Sequence, residues 1–226
     1  MDIKTIYEDD DVVAVDKPAG LLVHPVPASA NASAGKQNEK NTLLDFLKTK
    51  YPDVKLVHRL DQDTSGIMLA AKNEKAYEFL KEQFENRTIK KKYFALVHGI
   101  LKDKKGIIAK SISKSRKRGG SQTVAPIGKN REAVTRYKVI KEFPNYSLLE
   151  VFPETGRTHQ IRVHLASIGH PIAGDEKYKF KRQEKIKRLN RQFLHAKYLK
   201  FFLPNGTIKE IYSELPEELT KILKNL

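Results

Sequence analysis

Short strand-like segments and a few helical segments follow one another irregularly along this chain, and this order constrains the fold most. Residues 12–16 are rich in β-branched side chains, and residues 67–71 form a second apolar run of strand length. Asn73 precedes a pattern in which apolar residues recur at helical spacing. The regular strand–helix–strand rhythm of a doubly wound parallel sheet is missing. We therefore predict an α+β fold with a mixed sheet.

The same patterns predict the remaining elements. Further strands are predicted at residues 3–7, 21–23, 56–58, 91–98, 133–139, 146–152 and 193–203. Helices are predicted after a cap at Asn41, around residues 160–168, and over residues 213–223. Asp61 then falls on a loop between two strands.

Charge identifies the kind of partner. Lys and Arg number 43 against 27 Asp and Glu, a net charge of +16 in 226 residues, which favours RNA, DNA or an anionic membrane. No apolar run approaches the ~20 residues of a spanning helix, and the N-terminus lacks the apolar core of a signal peptide. With no Cys, disulfides and thiolate metal sites are excluded. We expect a soluble, cytoplasmic protein.

Chain length alone is compatible with one domain or two. Residues 25–40 are small and polar and have almost nothing to bury, so we interpret them as a mobile loop. The 24 residues before this loop are too few for a separate core. We therefore predict a single domain over residues 1–226.

Two segments concentrate the positive charge. Residues 101–120 hold eight Lys or Arg against the single acid Asp103, and three glycines favour a basic hairpin or arm. Residues 179–191 hold seven Lys or Arg against Glu184. Both segments are candidates for contacts with a polyanion, although the second is also compatible with a solvated surface. In the first segment, the candidates near its tip are Lys114, Arg116, Lys117 and Arg118.

Asp61 is the acidic residue that most requires an explanation. A polyanion would be repelled by this carboxylate unless its charge were neutralised or used chemically. Arg59 would project to the same side as Asp61 in extended backbone and is able to pair with it or with a phosphate. The alternative is an ordinary turn or capping Asp, because Thr64 and Gly66 follow it closely.

Two arginines and a tyrosine are the other candidates. Thr158 and Arg162, four residues apart, would share a helix face opposite an apolar stripe, so that Arg162 is presented to a cleft. Arg157 lies beside them, and both arginines are alternatively solvated helix residues. Tyr93, in an alternating strand, is either a core residue or a platform on which a base stacks.

Metal and nucleotide-cofactor sites lack sequence support. His159 and His164 are five residues apart, which does not place two imidazoles on one helix face, so we predict no metal site. The glycine-rich patterns of phosphate loops and dinucleotide-binding folds do not occur either.

Four strings in this order resemble the RluA family of RNA pseudouridine synthases. His58 to Gly66 matches the family's His-Arg-Leu-Asp-x-x-Thr-Ser-Gly motif. The other three strings are Lys17-Pro18-Ala19-Gly20, Lys91-Lys92-Tyr93, and Thr155 to His164 with Gly169 to Asp175 after it. A single match would be weak, but four matches in family order are highly specific.

The resemblance implies the pseudouridine synthase fold, a mixed, largely antiparallel sheet with peripheral helices and an active-site cleft. It implies conversion of uridine to pseudouridine in rRNA or tRNA without cofactor or metal. By the same resemblance, Asp61 is the catalytic aspartate, Tyr93 the active-site tyrosine, Arg162 the basic partner of the aspartate, and Arg59 helps to displace the target nucleotide.

Three further expectations complete the sequence-based interpretation. Many family members carry an N-terminal S4-type RNA-binding domain, which we do not expect here because the motifs begin close to Met1. We expect a monomer. The competing functions are a noncatalytic RNA-binding protein, suggested by the charge alone, and a phosphodiester-cleaving hydrolase, which the missing metal ligands disfavour.

Overall fold

A computed structural model describes residues 3–25, 42–115, 121–125 and 132–226. Within these ranges the chain forms twelve strands and four helices. The strands are β1 (Thr5–Glu8), β2 (Val12–Lys17), β3 (Lys55–Leu56), β4 (Ser65–Ala71), β5 (Lys90–His98), β6 (Lys105–Ala109), β7 (Ser111–Lys114), β8 (Gln122–Ala125), β9 (Val134–Phe143), β10 (Tyr146–Pro153), β11 (Leu194–Phe202) and β12 (Ile208–Tyr212). The helices are α1 (Leu43–Lys50), α2 (Glu74–Glu85), α3 (Gln160–Ser167) and α4 (Glu217–Lys224).

Ten of these strands belong to one sheet. Its main path runs β1-β2-β4-β11-β5-β10-β9-β6, with β12 paired to β11 and β3 paired to β4. The β4–β11 pair is parallel and the other pairs are antiparallel. The structure therefore confirms the predicted α+β class with a mixed, largely antiparallel sheet.

Strands β2 and β4 are buried on both faces, which explains their unbroken apolar sequences. In β2, Val13 and Val15 pack on the face that α1 covers, with Leu43 and Leu47 of that helix. Val12 and Ala14 point to the opposite face and join the cluster that contains α2. Because successive strand residues point to opposite sides, a strand between two helical layers needs apolar side chains throughout.

The second half of the sheet has its own core. Strands β5, β10 and β11 pack with α3 and α4 in one cluster of buried residues, which includes Leu96, Leu149 and Leu165. Tyr93 of β5 contacts both this cluster and the one around α1. The Tyr93 side chain thus lies where the two cores meet.

Several predicted boundaries are wrong, each for a local reason. Residues 21–23 do not form a strand, because the carbonyls of Leu22 and Val23 accept the backbone N–H groups of Leu43 and Leu44 at the start of α1. The cap of α1 is Thr42, whose side chain and Asp45 form a reciprocal capping box, rather than Asn41.

The ends of the chain's last elements also differ from the prediction. Helix α4 begins at Glu217, after Pro216, instead of at residue 213. Strand β12 was not predicted, because it has only five residues and most of them are exposed, so its sequence lacks a clear apolar pattern. The basic hairpin predicted within residues 101–120 is only partly correct: β7 pairs with β8, which lies beyond residue 120, while β6 pairs with β9 instead. Residues 116–120 of the β7–β8 connection lie outside the described residues, as do residues 26–40 of the predicted loop.

Gly66 allows β4 to approach β11 closely. It has a φ of 113°, and an added Cβ would lie 2.3 Å from the carbonyl oxygen of Ala196. We expect Gly66→Ala to lower the free energy of unfolding by about 3 kcal/mol or more, from backbone strain and steric overlap together. Urea unfolding measures the loss.

Gly20→Ala is the matched control. Gly20 also has a positive φ, of 84°, but an added Cβ would meet no atom within 4 Å. Its loss is therefore expected to be about 1 kcal/mol, from backbone strain alone. Equal losses in the two variants would contradict the steric argument.

Candidate active site

Asp61 lies in a tight turn that connects β3 to β4. The backbone N–H of Thr64 donates to the Asp61 carbonyl at 3.1 Å, which closes the turn. The Gly20 N–H donates to the Gln62 carbonyl at 2.9 Å, and the Gln62 side chain donates back to the Gly20 carbonyl at 3.0 Å. The early Lys-Pro-Ala-Gly segment therefore fixes the loop that carries Asp61.

A buried lysine strengthens this attachment. Lys17 Nζ donates to the carbonyls of Pro18 at 2.8 Å, Leu21 at 2.9 Å and Gln62 at 2.8 Å. Burial lowers its pKa to about 8, opposed by the charge of Asp63. The three carbonyls satisfy all three ammonium donors, so a cation that is otherwise costly to bury holds two loops together.

Arg162 links Asp61 to a second carboxylate. Its Nη1 donates to Asp61 Oδ2 at 2.8 Å, while Nε and Nη2 donate to the two oxygens of Asp175 at 2.6 and 3.0 Å. The side chains of Arg162 and Asp175 are 8% and 0% exposed, and that of Asp61 is 17% exposed. Asp175 thus fixes the guanidinium through Nε and Nη2, while Nη1 is directed at the carboxylate in the cleft.

Burial disfavours the Arg162 cation, but the hydrogen bonds and charges of Asp175 and Asp61 outweigh this cost and raise the pKa of Arg162. The prediction that Arg162 lies on a polar helix face is wrong. Residues 160–165 of α3 are all buried, and Thr158 precedes the helix. Arg162 reaches Asp61 from a buried helix, with its charge compensated within the protein.

Tyr93 also lines the cleft that contains Asp61. Burial and the neighbouring charge of Asp61 raise its pKa above the ordinary value. At neutral pH the side chain is therefore a protonated phenol. Both interpretations of Tyr93 are compatible with this position, since it packs against two cores and also lines the cleft.

His159 is a polar residue of the cleft that the sequence analysis tested as a metal ligand and otherwise left without a role. It precedes α3 in a left-handed conformation, with φ of 54°, and its Nε2 lies 3.9 Å from Asp61 Oδ1. Its Nδ1 lies 2.8 Å from the hydroxyl of Tyr178. Helical spacing could not assign a role to His159, because this residue precedes the helix. The one sequence feature that could have indicated a role was its position between Arg157 and Arg162.

The hydrogen bonds of Tyr178 favour one tautomer of His159. The Tyr178 hydroxyl accepts the backbone N–H of Gln122 at 2.8 Å, so the proton of that hydroxyl remains for His159 Nδ1. Burial lowers the pKa of His159, against the opposing charge of Asp61, so the ring is neutral. Nε2 then carries the ring proton and points towards Asp61, on the side opposite the Arg162 contact.

The cleft around these residues has a volume of about 500 Å³. Arg59 and Arg157 line it with Asp61 and Tyr93. Arg59 is exposed and makes no ion pair with Asp61 in the described part of the chain, although the two share the cleft. Lys114 is exposed on β7, outside the residues that line the cleft. Three predicted RNA contacts, Arg116, Lys117 and Arg118, lie outside the described residues.

Buried polar groups form hydrogen bonds with Thr64 and Ser65, at the end of the Asp61 turn. Gln192 donates to the Thr64 hydroxyl at 2.9 Å. The Ser65 hydroxyl accepts from Arg191 at 3.0 Å and lies 3.0 Å from His195 Nδ1. These contacts join the turn to the chain segment that leads into β11, as the parallel β4–β11 pairing requires.

Comparison with known proteins agrees with this site. Residues 11–167 match the family model described as RNA pseudouridylate synthase. The chain is 40% identical to an uncharacterized RNA pseudouridine synthase of Bacillus subtilis, over 100% of this chain and 73% of that protein. It is 34% identical to ribosomal large subunit pseudouridine synthase D of Haemophilus influenzae, over 99% and 71%. Human RNA pseudouridylate synthase domain containing 1 has a similar structure, with a TM-score of 0.76, 25% identity and coverage of 95% and 84%.

The chain therefore belongs to the RNA pseudouridylate synthase family, which confirms the resemblance found in its motifs. It is an enzyme that isomerises uridine in RNA, and this favours a catalytic function over noncatalytic RNA binding. No helix in the described ranges is both long and apolar enough to cross a membrane.

The neutral tautomer of His195 predicts a pH dependence of stability. Burial lowers its pKa to about 4, and its Nε2 donates to the Ser213 carbonyl. The unfolded chain, with an ordinary His pKa near ~6.5, therefore binds a proton more readily than the folded chain. Stability should fall as pH decreases from ~6.5 to ~4, by about 3 kcal/mol from this residue.

Urea unfolding at neutral and acidic pH measures this effect in the wild-type protein and in His195→Gln. The variant should be less stable at neutral pH and should lose a smaller part of its stability on acidification. A part of the pH dependence should remain, because burial lowers the pKa of His58 to about 3. An unchanged pH dependence in the variant would contradict the assignment to His195.

Proposed function

We propose that Asp61 is the residue that acts on the target uridine, with Arg162 as its charge partner and Tyr93 as the side chain that packs against the base. The observation that carries this proposal is the 2.8 Å contact between Arg162 and Asp61 in the lining of the cleft. A buried arginine fixes the orientation of this carboxylate and compensates its charge within the cleft.

The reaction requires a nucleophile or base next to the ribose. The bond between N1 and C1′ breaks and a bond between C5 and C1′ forms, while a proton leaves C5 and N1 gains one, so no atom is lost. Asp61 Oδ2 is engaged by Arg162, which leaves Oδ1 for the substrate. Attack on C1′, attack on the uracil ring, and removal of a ribose proton to give a glycal all use this oxygen.

Tyr93 supports the reaction as a neutral phenol. Its raised pKa opposes a role as a phenolate base, whereas its ring is suited to stacking on uracil. A uridine stacked in a helix hides its reactive atoms, so the target must be extruded at a cost of roughly a few kcal/mol. Contacts with the RNA backbone offset that cost, and we assign them to Arg59, Arg157, Lys114, Arg116, Lys117 and Arg118.

We further propose that the substrate is ribosomal RNA, because relatives that span most of this chain are named for the large ribosomal subunit. Incubation of the protein with large-subunit ribosomal RNA and with tRNA transcripts tests this, with pseudouridine mapped in each. Modification of tRNA alone would reject it. We also propose that the protein acts as a monomer in the cytoplasm. Sedimentation as a dimer would reject the monomer.

Asp61→Asn should abolish the activity while leaving RNA binding nearly intact. The amide has the same shape but can act neither as a base nor as an anionic nucleophile, so pseudouridine formation should fall on the order of 10³-fold or more. Pseudouridine formation and RNA affinity should both be measured on the same RNA.

Asp63→Asn is the matched control for this variant. Asp63 is exposed in the same turn, and Arg191 contacts its backbone carbonyl rather than its side chain. The Asp63→Asn substitution removes one negative charge from the same loop, as Asp61→Asn does, but this variant should retain near wild-type turnover. Comparable turnover in the two variants would remove Asp61 from the reaction.

A further inference from the structure

Two cations, Lys91 and Arg87, line the cleft near Tyr93 and form no ion pair within the described ranges. Lys91 is two residues before Tyr93 on β5, and Arg87 follows the C-terminal end of α2. The ring of Phe84 lies under Lys91, with Nζ 5.9 Å from its centre. In the described residues, neither Lys91 nor Arg87 forms a hydrogen bond or an ion pair with an acid.

The Lys91 ammonium is partly buried, which normally requires a partner. Other partly or fully buried lysines of this chain have one: Lys92 pairs with Glu150, Lys72 pairs with Glu8, and Lys17 has three carbonyls. Burial and then the charge of Arg87 lower the pKa of Lys91 to about 8, so its charge persists at neutral pH but is not compensated. An anion in the cleft would compensate the buried charge of Lys91 and offset its repulsion by Arg87.

The backbone of Arg87 supports the same conclusion independently. Helix α2 ends in a Schellman motif, in which the N–H of Thr88 donates to the Gln83 carbonyl and the N–H of Arg87 to the Phe84 carbonyl. Arg87 occupies the left-handed position of this motif, with φ of 58°, where glycine is strongly preferred. A strained arginine in place of glycine, at the edge of a cleft, indicates that its side chain has a function.

The neighbouring side chains do not neutralise these two charges. His58 stacks on Phe84 and accepts the backbone N–H of Leu69, and burial lowers its pKa to about 3, so its ring is neutral. Glu85 is exposed and also lines the cleft, but it forms no ion pair with Lys91 or Arg87 in the described part of the chain. This end of the cleft is therefore electropositive.

We propose that Lys91 and Arg87 form a phosphate-binding subsite, which holds the RNA backbone next to the uridine that enters the Asp61 end of the cleft. The proposal rests on the proposed function of that end. Because side chains two apart on a strand point to the same face, Lys91 and Tyr93 project into the cleft together, with Cα atoms roughly 7 Å apart. A base against Tyr93 then has a phosphate of its own or the adjacent nucleotide within reach of Lys91.

Lys91→Gln tests the subsite, with Lys90→Gln as its matched control. Lys90 is exposed on the same strand, points to the opposite face and does not line the cleft. Binding of each variant to a single-stranded oligouridylate is measured over a range of salt concentrations. Lys91→Gln should weaken binding about tenfold and reduce the slope of log affinity against log salt by about 0.7, the value for one lost phosphate contact. Equal effects of the two variants would overturn the subsite.

Arg87→Gly separates function from stability. Glycine relieves the left-handed strain, so the melting temperature should stay equal or rise, while oligouridylate affinity and its salt slope fall as for Lys91→Gln. Wild-type affinity in this variant would remove Arg87 from the subsite, and a large loss of stability would show that its role is structural.

The binding measurements require no turnover, so they are independent of the roles proposed for Asp61. If Asp61→Asn retains activity but Lys91→Gln loses affinity, the catalytic assignment fails and the subsite stands. If Asp61→Asn is inactive and Lys91→Gln binds like Lys90→Gln, the subsite alone fails. On ribosomal RNA, Lys91→Gln should raise KM more than it lowers kcat, since the residue contacts the backbone and not the reacting atoms.

Discussion

The geometry of the cleft depends on one buried arginine held between two carboxylates. Arg162 uses two of its donors on Asp175 and a third on Asp61. Such a cluster is stabilising only when the desolvation of its charges is matched by well-directed hydrogen bonds, and the planar fork of a guanidinium meets that requirement better than an ammonium. Asp175 Oδ1 also accepts the backbone N–H groups of Lys177 and Tyr178. A single interaction therefore places α3, the segment after Asp175 and the Asp61 turn relative to one another.

Tyr178 connects Arg162 to His159, because it contacts both side chains. The ring of Tyr178 lies 5.2 Å from the Arg162 guanidinium, and its hydroxyl joins His159 to the backbone of β8. The two oxygens of Asp61 consequently have different surroundings, a cation at Oδ2 and a neutral N–H group near Oδ1. This asymmetry leaves one oxygen accessible to a substrate and keeps the other fixed, without any movement of the carboxylate being needed.

The sequence predicted the local features well and the long-range ones poorly. Asp61, Tyr93 and Arg162 were recognised from motifs, and the structure brings all three into one cleft. The predicted surroundings of Arg162 were wrong, because helical spacing alone assigns a polar side chain to the solvent-exposed face. Its buried partner Asp175 is thirteen residues away in the sequence, so the spacing within the helix does not reveal it. The role of Arg87 could not be predicted from the sequence, because the argument for it depends on the left-handed φ of this residue, which is known only from the folded end of α2.

The arginines and lysines of the cleft divide into two electrostatic kinds. Arg162 is buried and its charge is compensated by Asp175 and Asp61 within the protein, so it is a poor candidate for a phosphate contact. Lys91 and Arg87 line the cleft and have no acidic partner among the residues that the structure describes, so they are available to a polyanion. Dissolved salt screens the second kind far more than the first, because screening acts on exposed charges. Salt should therefore change how tightly the cleft holds RNA through Lys91 and Arg87 far more than it changes the contact between Arg162 and Asp61.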